Sequence, residues 1–224
     1  IMDLLDLVEL LEMDNIDRIG YASPIKIVAT GKILGFDSNT NLIDFGCGRG
    51  EALNLWGKYF NINGLGIEMD KKSCNIAIKR LKENNLENKI EVVCYDASEY
   101  KFEEGGYDIA SCINASMIWG GFRPTLKKMK TAIKRNGAII ISEPYYTGKV
   151  LPVELRDSEG DCHTEEEILD IIHEEGYELQ FIKRATMDDC DNYRASFRGD
   201  LQKVSAAHMW PHYFGSAIYA MKKI

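Results

Sequence analysis

The stretch LIDFGCGRGE, Leu42 to Glu51, decides how this chain folds. Its first half belongs to a short apolar run, NLIDFG, that ends in glycine, the mark of a buried strand entering a tight turn. Gly46, Gly48 and Gly50 alternate through the turn. Without a Cβ they let the backbone bend sharply and let a ligand come close to the main chain. A helix over about 51–60 follows, and its first N–H groups have no partner inside the helix.

Outward from that turn the chain alternates strand and helix. GLGIEMD is the second strand, a helix over about 71–84 places Cys74, Ala77, Ile78 and Leu81 on one face, and KIEVVCYD is the third strand. YDIASCIN is the fourth strand. Leu126, Met129 and Ile133 mark the next helix, and GAIIISEP is the fifth strand, stopped by Pro144. Thr164 with Glu167 forms a capping box for a helix running to Gly176. YELQFIKRATM and HYFGSAIYAMKK are the last two strands, with a helix expected between them at about 190–206. Upstream of the turn, Leu4, Leu7, Val8 and Leu11 predict an amphipathic helix over 3–13, and Pro24 opens a second over about 24–34. Such alternation with near-continuous apolar strands predicts an α/β fold, a doubly wound and mostly parallel sheet covered by helices on both faces. The whole chain, 1–224, reads as one domain, with 1–34 as N-terminal cap helices and 40–224 as the core.

Composition narrows the function. A net charge of −8 and a pI near 5.1 repel a polyanion, so a nucleic-acid partner is not expected. No run reaches membrane-spanning length and no basic amphipathic helix stands out, so stable membrane association is not expected either. Cys47, Cys74, Cys94, Cys112, Cys162 and Cys190 occur singly, without metal-ligand spacing. They read as buried reduced thiols in a cytoplasmic protein.

Two cofactor classes use a glycine turn of this kind. A dinucleotide fingerprint, G-x-G-x-x-G, would need its third glycine where Glu51 stands, a carboxylate in the place of a pyrophosphate. The alternative pattern, D-x-G-x-G-x-G from Asp44 to Gly50, resembles the class I, Rossmann-like family of S-adenosylmethionine-dependent methyltransferases. The resemblance covers about 25–145. It implies S-adenosyl-L-methionine as cofactor and a seven-stranded sheet in the order 3-2-1-4-5-7-6 with the last strand antiparallel. It also implies roles. Asp44 and the turn through Gly46, Cys47, Gly48 and Gly50 would meet the amino-acid end. Glu68, with Met69 behind it, would take the ribose hydroxyls, Asp96 and Ala97 the adenine edge, and Asn114 the methionine end. N-terminal helices that close over the cofactor are common among its small-molecule members.

Each position has a plainer reading. Asp96 in DASEY could cap a short helix and Asn114 could close a turn. Trp119, Phe122, Tyr145 and Tyr146, at the carboxyl ends of the fourth and fifth strands, are either acceptor-binding rings or core packing, and Trp119, Tyr145 and Tyr146 are the substrate-site candidates. Glu143 is the candidate general base, against a strand-end acid with no chemistry. Trp210, His212, His163 and His173 read as packing, loop or helix-flank residues.

The predicted activity is methyl transfer to a small-molecule acceptor, by in-line displacement that need not use a base. Its competitors are an NAD-dependent oxidoreductase, a non-catalytic cofactor-binding protein and a cyclopropane-synthase-like lipid enzyme. The Asn/Asp-Pro-Pro-aromatic motif of DNA amino-methyltransferases is missing from INASMIW, and no acids stand there as in metal-dependent catechol-type members, so no metal is expected.

Overall fold

The computed structural model describes residues 23–148, 162–186 and 213–224. Helix α1 (Pro24–Leu34) starts at its proline and ends on Gly35, whose φ of 75° suits the left-handed cap. Then follow β1 (Asn41–Phe45), α2 (Glu51–Phe60), β2 (Asn63–Glu68), α3 (Lys71–Glu83), β3 (Ile90–Cys94) and β4 (Tyr107–Ile113). A 3-10 turn (Ser116–Trp119) leads into α4 (Phe122–Ala132) and β5 (Ile133–Tyr146). The last described elements are α5 (Glu165–Glu174), β6 (Tyr177–Arg184) and β7 (Phe214–Lys223). Local chemistry explains several starts: Asp70 accepts from the Ser73 N–H at 2.8 Å, and Thr164 with Glu167 closes the capping box read from sequence.

All seven strands form one sheet in the order β3-β2-β1-β4-β5-β7-β6. The pairs from β3 to β5 are parallel, and β7 runs antiparallel to both neighbours. This is the order and the single reversal expected. Apolar side chains leave both faces of the strands. On one face Leu42, Ile109 and Ile140 pack under Ile27, Leu53, Trp56 and Leu81 from α1, α2 and α3. On the other, Phe45, Ile139, Ile141 and Tyr219 pack under Phe122, Leu126, Met129, Ile168 and Ile172 from α4 and α5. Helix α1 is stitched into the first layer, because the Trp56 indole N–H donates to the Ile27 carbonyl at 2.8 Å and the Lys26 ammonium to the Arg184 carbonyl at 2.9 Å.

Two boundaries differ from the sequence reading, and both lie on β5. Ile133 opens the strand, paired with Tyr107, rather than closing the helix. Pro144 does not stop it either: the strand continues to Tyr146, with Pro144 opposite Ser216. Pairing with β4 has ended by Ser142, so a residue without an N–H breaks no ladder on that side. The thiol reading also needs correction, since Cys94 is exposed and Cys162 half-buried. The helices expected at 3–13 and about 190–206, and the residues Cys190, Trp210 and His212, lie outside the described residues.

The close approach of β2 to the turn after β1 depends on Gly66. A Cβ there would meet Leu53 Cδ1 at 2.6 Å and Cys47 Sγ at 2.7 Å. Gly66→Ala is expected to lower stability by about 1–3 kcal/mol through overpacking, read as a drop in the denaturant midpoint. A midpoint equal to wild type would mean that the turn is not held this tightly.

Candidate functional site

The carboxyl ends of β1, β2, β3 and β4 surround a cavity of about 530 Å³. Its position follows from topology: helices leave to opposite faces on the two sides of β1 and β4, and the crevice where the order reverses is where open α/β sheets receive ligands.

The glycine turn forms the floor. Gly46, Gly48 and Gly50 have φ of 70°, 56° and 74°, values that disfavour side chains. The Gly46 and Cys47 N–H groups both donate to the Ile67 carbonyl, at 2.9 and 3.0 Å, so the turn is pinned to β2. Gly46 and Gly48 line the cavity. Space around Gly48 is open, whereas a Cβ on Gly46 would meet Ala115 at 2.7 Å. Gly50 lies behind, against Ala77, and Cys47 is buried with its sulfur against Gly66.

Glu68 joins the turn to the end of β2. One carboxylate oxygen accepts from the Gly48 N–H at 3.0 Å, the other from the Asp70 N–H at 2.7 Å. Each oxygen has a second acceptor site, so both remain able to take hydroxyl donors. Asp44, 1% exposed, sits below the turn, and its carboxylate accepts from the Ser111 hydroxyl at 2.6 Å. Burial raises its pKa from 3.8 to about 7; the Ser111 bond opposes this, and the nearby Glu68 and Glu51 charges add to it. Among the described residues Asp44 has no cationic partner.

The remaining walls come from three loops. Asp96, Ala97 and Ser98 follow β3 and line the cavity. The Asp96 Oδ1 accepts from the Ser98 N–H at 2.9 Å and its hydroxyl at 2.7 Å, which holds the carboxyl below its ordinary range. The short helix considered for DASEY is not formed; Asp96 closes a turn instead and also lines the cavity. Asn114 lines the cavity, has a φ of 56° and accepts through Oδ1 from the Ser142 hydroxyl at 2.9 Å. Met69 and Met117, 71% and 72% exposed, flank the opening as apolar edges.

Several expected residues stand elsewhere. Trp119, Tyr145 and Tyr146 are half-buried and do not line this cavity. Trp119 packs edge-on to Phe45 with centroids 5.0 Å apart, the Tyr145 ring lies over Gly215, and Tyr146 tilts against Phe214. Phe122 is core, 1% exposed and edge-on to Tyr219. Glu51 does not face the cavity; it pairs with Arg80 of α3 at 2.7 Å. What separates this fold from the classic dinucleotide order is therefore β7, inserted between β5 and β6, rather than the Glu51 charge. Glu143 also stays off the cavity, with Oε2 buried and without a hydrogen-bond partner among the described residues. His163 is half-buried and His173 exposed at the two ends of α5.

Residue-level reading missed Ile67, Ile113, Ala115, Met117, Ile118 and Ser98 as walls. The segment CINASMIWGGF pointed to the region, but which of its side chains face inward depends on the 3-10 turn at Ser116–Trp119, which carries no sequence period of its own.

Comparison with known proteins agrees with this geometry. The chain is 26% identical over 176 residues to the uncharacterized protein YjhP of Escherichia coli (strain K12), covering 76% of this chain and 71% of that protein. The X-ray structure of YjhP superposes with a TM-score of 0.80 at 22% identity, covering 96% of this chain and 98% of the other. A protein described as a SAM-dependent methyltransferase from Geobacter sulfurreducens, solved with S-adenosyl-L-homocysteine, superposes with a TM-score of 0.78 at 24% identity over 100% of both chains. A like-named protein from Thiobacillus denitrificans, with the same ligand, gives 0.75 at 20% identity over 97% and 98%. A family model described as a methyltransferase domain matches residues 36–211, most of the chain. The chain belongs to that methyltransferase-domain family and has the class I, Rossmann-like fold of S-adenosylmethionine-dependent methyltransferases.

Proposed function

We propose that this protein transfers a methyl group from S-adenosylmethionine to a small-molecule acceptor, with the cofactor held in the cavity over β1 to β4. The observation that carries the proposal is the pair of carboxylates around the glycine turn: Asp44, buried with no cationic partner among the described residues, and Glu68 on the rim, with acceptor capacity left on both oxygens. The first suits an ammonium and a sulfonium, the second a ribose diol. Open space at Gly48 leaves room for a ligand against the main chain, and bound S-adenosyl-L-homocysteine in the Geobacter sulfurreducens structure supports the same ligand class here.

In this reading Asp44 and the turn hold the amino-acid end with Asn114, Glu68 holds the ribose, and Asp96 with Ala97 meets the adenine edge between the apolar flanks Met69 and Met117. When bound, the cofactor supplies a methyl group on a positively charged sulfur whose departure needs no acid. The chain's task is to orient the two reactants and to exclude water. The acidic surface charge supports a small acceptor over a polyanion. No described helix is long and apolar enough to cross a membrane.

Calorimetric titration with S-adenosyl-L-homocysteine tests the site directly. Glu68→Ala should weaken binding by about 1.5–3 kcal/mol, the scale of hydrogen bonds to a charged group. Unchanged affinity in a folded variant removes the assignment.

Asp44 gives a second, ligand-free test. Its raised pKa means that the folded protein retains a proton which the unfolded chain releases. The stability penalty is therefore absent below the unfolded value of 3.8, grows as pH rises, and is complete above about 7. Its full size is on the order of 4 kcal/mol. Asp44→Asn keeps an acceptor for Ser111 and cannot ionise, so it should gain stability relative to wild type as pH rises from about 4 to 8. Any offset at low pH reports the cost of the added amide donor. A pH-independent difference between the two proteins would show that Asp44 titrates normally.

A further inference from the structure

Glu143 is a second acid near the carboxyl edge, half-buried with its Oε2 fully covered, and cofactor binding does not account for it. It lies at the end of β5 opposite Ala217 of β7, on the face that carries Ile139 and Ile141. The Ser116 hydroxyl lies close enough to the carboxyl group to lower its pKa, while Oε2 is buried with no hydrogen-bond partner among the described residues. A buried acceptor without a donor is expensive, and sites built for a substrate proton leave one open. Its chain neighbours place it beside the cavity wall rather than in it. Ala115 and Met117, the chain neighbours of Ser116, line the cavity, and Ser142, the chain neighbour of Glu143, donates to Asn114 on the same wall.

The groups around it are the Ser116 hydroxyl from the 3-10 turn, the Cys112 thiol from β4, the Tyr219 phenol from β7 and Tyr145 on its own strand. Arg184, which faces Ala217 from the other side of β7, is engaged by Glu165 at 2.7 Å. Burial raises the carboxyl from 4.5 to about 7, and the neighbouring Ser116 hydroxyl opposes this. A group ionising there can hold or release a proton at neutral pH.

We infer that Glu143 accepts the proton of the methyl acceptor and that Ser116 positions its carboxylate, so that the acceptor is a neutral hydroxyl or amine that loses an O–H or N–H proton on methylation. This rests on the methyl-transfer reading. In the step, a lone pair on the acceptor oxygen or nitrogen forms the bond to the methyl carbon. The carbon–sulfur bond breaks with its pair remaining on sulfur, and the acceptor proton passes to Glu143 Oε2 and from there to water. Acceptors with no proton to lose, such as a thioether or a tertiary amine, would not use this carboxylate.

The test has three arms. Calorimetry with S-adenosyl-L-homocysteine should give the same affinity for wild type, Glu143→Gln and Ser116→Ala; failure of wild type to bind overturns the cofactor assignment, and a loss confined to Glu143→Gln overturns the role given to Glu143 here. Difference infrared titration of the S-adenosyl-L-homocysteine complexes should show a protonated-carboxyl band, absent from Glu143→Gln, that disappears near pH 7 and moves to higher pH in Ser116→Ala. Methyl-labelled S-adenosylmethionine offered with the small-molecule fraction of a cell extract should yield an O-methyl or N-methyl product, formed about a hundredfold more slowly by Glu143→Gln. The wild-type rate should rise with pH through the infrared midpoint. A carboxyl band lost below about pH 5, a midpoint indifferent to Ser116, or a product methylated on sulfur or a tertiary amine would each overturn the inference.

Discussion

A carboxylate buried with no cationic partner among the described residues governs the carboxyl edge of this sheet. Asp44 has one neutral partner, the Ser111 hydroxyl, and two acidic neighbours, Glu68 and Glu51. Folding alone would favour an apolar residue at a position 1% exposed. The arrangement lowers the stability of the free protein and prepares it for a positively charged ligand, so that ligand binding and folding draw on the same group.

The surrounding structure holds that group beneath the turn that borders the cavity. Pinning of the turn to the Ile67 carbonyl, close packing at Gly66 and the two backbone bonds to Glu68 join β1, β2 and the start of α3 into one rigid rim. Arg80 takes up the Glu51 charge on the α3 side, while Glu68 and Asp96 are the acids that line the cavity and Asp44 lies buried beneath the turn. Glu143 repeats the device over β5, where burial raises its carboxyl and the neighbouring Ser116 hydroxyl lowers it.

The glycine turn, the two strand-end acids and the alternation of elements were legible because each is a local pattern with a local physical cause. The strand order came through family resemblance, since pairing between distant strands leaves no local trace. Pro144 was misread for the same reason: whether a proline ends a strand depends on which neighbours still need its N–H, and β4 had already ended. The rings at Trp119, Tyr145 and Tyr146 have the composition of a binding surface, yet contacts with Phe45, Gly215 and Phe214 occupy them away from the cavity. The walls at Met117 and Ile118 were not legible at residue level, because a short 3-10 turn decides their direction.

The most direct measurement of the central claim is proton release on ligand binding. S-adenosyl-L-homocysteine would be titrated calorimetrically near pH 6.5 in buffers of different ionisation enthalpy, with wild type and Asp44→Asn side by side. The account predicts that the ligand's ammonium drives Asp44 to ionise, so wild type releases a substantial fraction of one proton and the variant releases much less. Binding with no proton release, or release that persists unchanged in Asp44→Asn, would contradict it.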